Sequence, residues 1–102
     1  MKNRRIVLAA RPQGEATAEH FRLETVELPP LADGEVRVRH HWLSLDPYMR
    51  MRMNDMKSYA PPVAVGAVMV GGTTGEVLES RHPAFQPGDR VVGQGGWQEV
   101  SV

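Results

Sequence analysis

Among the residues able to do chemistry, one tyrosine stands apart. Tyr48 follows Asp46-Pro47, and its phenol, protonated up to about pH 10, can donate a hydrogen bond to a carbonyl oxygen. Asp is a preferred N-cap and Pro costs nothing at the first helical position, so this pair predicts a short helix from Pro47 that holds Tyr48 at its start. Met49, Met53 and Met56 then fall at i, i+4 and i+7 as one apolar stripe. Methionines so placed are adaptable core filler, and the same side chains can also wall a pocket. Chemistry alone leaves Tyr48 with two roles, because buried phenols also serve merely to satisfy backbone carbonyls.

Other chemistries find less support. His20, His40, His41 and His82 lack any H-x-x-H or H-E-x-x-H spacing, and adjacent His40 and His41 point to opposite faces of a strand, so no metal site is expected. Ser44 lies near Asp46 but outside a G-x-S-x-G elbow, which gives it a structural role. The glycines do not match G-x-G-x-x-G, since Gln98 stands where the third glycine after Gly93 and Gly95 should be. No Gly-Lys-Ser or Gly-Lys-Thr follows either, so turns and bulges are their expected use.

The elements that must position Tyr48 read mainly as strands. Ile6–Ala10 is a short apolar run closed by Arg11-Pro12-Gln13-Gly14, and Phe21–Val26 alternates before Pro29-Pro30. After a turn at Ala32–Glu35, Val36, Val38, His40 and Trp42 share one strand face, with Arg37, Arg39 and His41 on the other. Arg4, Arg5, Arg37 and Arg39 are expected as solvated strand-face charges. Tyr59–Pro62 reads as an extended connector. Val63–Glu79, with Gly66, Gly71, Gly72 and Gly75 among small apolar residues, reads as bent strands. Pro87-Gly88 suits the centre of a type II turn, and Val91-Val92 and Trp97–Val102 supply two last short strands. The expected fold is mainly β, a partly open barrel with one short helix.

Composition bounds what such a barrel can do. With 102 residues, 12 basic against 12 acidic side chains and 41% hydrophobic residues, the chain forms one soluble domain, residues 1–102. That length supports a modest core without a deep, self-contained cofactor cleft. Zero formal charge removes the field expected of a nucleic-acid or anionic-membrane binder. The absence of cysteine excludes disulfides, thiolate nucleophiles and Cys-based zinc sites, and suits a reducing interior. Met1–Arg11 is too short in apolar residues for a signal segment or membrane span, so the cytoplasm is the expected location.

The string Leu43-Ser44-Leu45-Asp46-Pro47-Tyr48-Met49-Arg50-Met51-Arg52-Met53 resembles a signature of the zinc-independent medium-chain dehydrogenase/reductase family that reduces activated C=C bonds with NADPH. Ser58–Pro62, Gly66–Gly72, Pro87–Val91 and Gly96-Trp97 follow in that family's order, so the resemblance spans nearly the whole chain. It implies a GroES-like barrel, the N-terminal part of a two-domain enzyme whose Rossmann domain would carry most of the NADPH. The zinc-bearing relatives' cysteine and Gly-His-Glu have no counterpart here, which implies no zinc. The resemblance further implies hydride transfer to the β-carbon of an α,β-unsaturated ketone or aldehyde, the small-molecule enone substrate. Tyr48 would lie near nicotinamide and substrate as a catalytic and cofactor-binding residue, with Met49, Met53 and Tyr59 lining the substrate pocket. Asp46 and Pro47 would hold Tyr48 from behind. The complete enzyme would be a homodimer, and these residues alone would be inactive. The reading from another class is a non-catalytic β-barrel that acts by oligomerisation or by gripping a partner; an exposed strand edge promotes pairing in any isolated barrel, so oligomers alone do not distinguish it.

Overall fold

The computed structural model describes residues 1–55 and 61–102. Six strands form in it: β1 (Lys2–Leu8), β2 (Phe21–Glu27), β3 (Val36–Leu43), β4 (Thr73–Ser80), β5 (Arg90–Gly93) and β6 (Val100–Ser101). One short helix, α1 (Tyr48–Met51), follows β3, and a single 3-10 turn at Ala18–His20 leads into β2. The strands make a two-stranded antiparallel sheet, β1-β2, and a four-stranded sheet in the order β5-β4-β3-β6. The sheets are not closed on each other. Isolated bridges Arg5↔Gln98 and Val7↔Val68 tie β1 toward the second sheet, which makes the partly open, mainly β architecture the sequence suggests.

A buried asparagine supplies part of this tie. Asn3 Nδ2 donates to Gln98 Oε1 at 2.9 Å, and its Oδ1 accepts the Val100 amide at 3.0 Å. A buried amide with both ends bonded fixes where β6 lies against β1, and an apolar residue there could not. Leu8, Met53, Val63 and Met69 form the core cluster, with Val7, Val77 and Val100 also buried. The methionine that follows α1 therefore belongs to the core that seats the helix.

Several boundaries differ from expectation for identifiable reasons. β1 begins at Lys2 and ends at Leu8, where the apolar run suggested Ile6–Ala10, because β1 pairs with β2 from Lys2↔Glu27 to Leu8↔Phe21. The polar residues at its start are stabilised by cross-strand partners such as Arg5–Glu24 at 3.1 Å. Of Val63–Glu79 only Thr73 onward is a strand, with Val68 contributing one bridge. The type II turn forms as expected: Asp89 N donates to Gln86 O at 3.0 Å, and Gly88 takes φ +93°, which glycine adopts without strain.

The regular alternation read along β3 does not hold. Register shifts between Arg37 and Val38 and between His40 and Trp42 break its period, and Trp42 is left 77% exposed. Arg37, expected in solvent, is buried: it donates to Glu79 Oε1 at 3.2 Å and to the Pro29 carbonyl. Its guanidinium bridges the chain leaving β2 to β4, which repays its burial with bonds at two places. Arg4 is exposed and doubly bonded to Glu99, while Arg5 is half-buried against Glu24.

Candidate active site

α1 forms where Asp46-Pro47 ends the extended chain, but not by the expected side-chain cap. The Asp46 carboxylate accepts the Ser44 hydroxyl at 2.8 Å, and it is the Asp46 backbone carbonyl that receives the Met49 amide at 3.2 Å. Pro47 stands one position earlier than expected, at the N-cap, already with helical dihedrals of φ −59° and ψ −29°. The sequence Ser-Leu-Asp thus closes its own side-chain bond and leaves proline's fixed φ to start the helix. The helix is one turn long, and its stripe is carried on by turns through Met53, whose amide bonds to Arg50 O at 3.2 Å. Met56 and Tyr59 lie outside the described residues.

Beside this turn is an open hollow of about 370 Å³. Phe21, Leu45, Met49, Met53, Met69, Trp97 and Ala16 line it, together with Asp46, Pro47 and Arg50. The structure thus brings four of the expected residues, Asp46, Pro47, Met49 and Met53, to one place. Tyr48 is half-buried at the helix start and is not one of the lining side chains. Met49 and Met53 present only an edge, being 5% and 2% exposed, so filler and wall are one role here.

Sequence reasoning missed the aromatic half of this wall. Phe21 and Trp97 stack with centroids 5.3 Å apart and rings inclined by 20°, although 76 residues of chain separate them. In a chain only 6% aromatic, the few large rings were the available signal. The charges near the hollow are already engaged. Arg50 donates to Pro12 O at 3.2 Å, to Gly14 O at 2.7 Å and to Asn54 Oδ1 at 2.7 Å, and the Asp46 carboxylate is held by Ser44. What remains on offer is apolar, polarisable surface. Within the aromatic wall, the Trp97 indole N–H is buried without an acceptor among the described residues.

A second hollow, about 300 Å³, lies where Trp97 meets His40, His41, Trp42 and Leu43. His40 is half-buried; its Nε2 lies 2.7 Å from Ser101 Oγ, joining β3 to β6, and its Nδ1 has no partner among the described residues. Burial pushes its pKa down, and the neighbouring His41 adds to that. Arg4, Arg5 and Glu99 also line this hollow. The unfolded chain therefore binds a proton at His40 more readily than the folded one below the ordinary imidazole value of about 6.5. Stability is complete above that pH and declines as pH falls through the window beneath it. Thermal melts should give a Tm that is level above about pH 7 and drops from about pH 6.5 downward, with a shallower drop in His40→Gln. The carboxylates held low, Glu24 by Arg22 and Arg5 and Glu99 by Arg4, act only at more acid pH. An unchanged slope in His40→Gln would assign the limb to another group.

Residues 4–102 match the family model described as the N-terminal domain of oxidoreductase. The chain is 52% identical over 101 residues to the NADPH-dependent curcumin reductase of Escherichia coli (strain K12), covering 99% of this chain and 29% of that protein. It is 39% identical over 89 residues to prostaglandin reductase 1 of Bos taurus, covering 87% and 25%. The crystal structure of CurA from Vibrio vulnificus superposes with a TM-score of 0.94 at 50% identity over 97% of this chain and 29% of that one. The same protein in complex with NADPH gives 0.89 at 49% identity, over 96% of this chain and 30% of that one. The chain thus spans between a quarter and three-tenths of the length of these relatives. A match over nearly every residue, at this identity and in the same GroES-like arrangement of strands, means that the chain belongs to the oxidoreductase N-terminal-domain family, within the medium-chain dehydrogenase/reductases that include NADPH-dependent curcumin and prostaglandin reductases.

Proposed function

We propose that residues 1–102 are the substrate-side domain of a longer, zinc-independent reductase that moves hydride from NADPH to the C=C bond of an α,β-unsaturated ketone or aldehyde. The observation that carries this reading is the hollow beside α1: apolar, about 370 Å³, with its carboxylate and its guanidinium already bonded within the chain. A conjugated, uncharged acceptor is the ligand such a wall suits. Bound NADPH supplies the hydride. The residues here fit only the nicotinamide end of that cofactor. Aromatic and thioether surface accepts a flat uncharged ring, whereas the Arg50 guanidinium, the one cation at the hollow among the described residues, is already held by backbone carbonyls and Asn54.

In this reading the chain's own residues do three things. Met49 and Met53 pack against the acceptor and keep water from its apolar side. The Tyr48 hydroxyl, at the helix start and outside the lining of the hollow, orients the nicotinamide or a carbonyl that reaches beyond the hollow and polarises the latter as charge moves onto its oxygen, a duty of positioning ahead of proton delivery. Asp46 and Pro47 hold the turn from which Tyr48 projects. Tyr59, which the resemblance adds to the pocket, lies outside the described residues.

The test is consumption of NADPH by the full-length reductase, which should depend on an added enone and be absent with the saturated ketone. The competing reading, a non-catalytic interaction module, draws on the exposed Trp42 and Val92, 77% and 83% accessible on β3 and β5. It is favoured if no enone accelerates NADPH consumption.

A further inference from the structure

Gly71 is buried and its φ lies outside the left-handed region, so its backbone conformation does not call for glycine. Its surroundings do. A β-carbon at this position would stand 2.6 Å from Leu43 Cδ1, 2.9 Å from Met49 Cε and 3.4 Å from the Trp97 indole nitrogen. Two of these atoms are the ends of flexible side chains, which can retreat. Met49 is also a wall of the hollow beside α1, as is Trp97. The space left by the missing side chain of Gly71 is therefore where the wall residue Met49 is stowed.

We propose, resting on the reductase reading, that Gly71 and Met49 together set the depth of the acceptor site and so select bulky apolar acceptors, aryl-substituted enones above all, over short aliphatic ones. The stacked Phe21 and Trp97 rings give such an aryl group a flat apolar partner. Filling the space at Gly71 displaces the Met49 methyl into the volume the aryl group needs. Shortening Met49 returns that volume.

The test compares benzylideneacetone with but-3-en-2-one in the full-length reductase. Gly71→Ala should lower the ratio of their kcat/KM values about tenfold against the aryl enone, and Gly71→Ala/Met49→Ala should bring the ratio back. A second readout is the Kd of benzylideneacetone without NADPH, measured by calorimetry, which should rise about tenfold in Gly71→Ala and recover in the double variant. Turnover of both enones with an unchanged ratio in Gly71→Ala, or a lowered ratio that the double variant does not restore, overturns the inference and leaves the reductase reading standing. Selective loss and recovery of binding with no turnover in the wild type supports the depth-setting pair and removes the reductase reading. Absence of both turnover and binding overturns both.

Discussion

Tyr48→Phe should lower kcat/KM for an enone by about a hundredfold in the full-length reductase, the loss typical of removing one donor to a developing oxyanion. The melting temperature should stay where it is. The ring occupies a half-buried position at the start of α1, and phenylalanine keeps that ring, so only the hydroxyl is lost. The division of the loss tells the two uses of the hydroxyl apart. A fall in kcat and kcat/KM together marks contact made in the transition state, and a rise in KM alone marks uniform binding of cofactor or acceptor. Full turnover with a lowered melting temperature would leave Tyr48 as a packing residue.

Gly75→Ala should strongly destabilise the barrel. Gly75 lies opposite His40 in the β3·β4 register, and a β-carbon there would run into the carbonyl oxygen of Arg39, with Arg39 C and Val38 Cγ1 both 3.0 Å away. The obstacle is backbone in a paired strand, which cannot retreat without opening the ladder beside the His40–Trp42 bulge. We expect a loss of about 3 kcal/mol, at the upper end for overpacking, and a melting temperature lower by more than about 10 °C for a domain of this size. Gly93→Ala on β5 is the control, since a β-carbon there meets nothing within 4 Å. Equal melting temperatures for the two variants would mean that β3 and β4 do not approach as closely as described.

The contrast between these glycines shows what was legible in the sequence. Gly88 could be assigned beforehand, because Pro-Gly fixes a local turn and local dihedrals decide it. The sequence marks Gly71 and Gly75 only as strand irregularities, since their need for glycine comes from Leu43, Met49 and Arg39, placed there by tertiary packing. The same division runs through the rest. Strands β2, β3 and β5 followed from alternation and turn residues, whereas the true start of β1 depended on its pairing with β2. Arg37 departs from expectation because charge predicts solvent, and here Glu79 and a carbonyl after β2 make burial tolerable. At the site, Asp46, Pro47, Met49 and Met53 were visible as a contiguous motif around Tyr48. Phe21 and Trp97 were not, because their stacking joins two distant stretches that no spacing rule connects.

The hydride's destination tests the central claim most directly. The full-length reductase should be supplied with benzylideneacetone and NADPH deuterated at the transferable position, and the product examined by NMR. One deuterium at the β-carbon of the saturated ketone, with the carbonyl intact, is the expected result. Deuterium at the carbonyl carbon of an allylic alcohol, or no reaction of the enone at all, would contradict it.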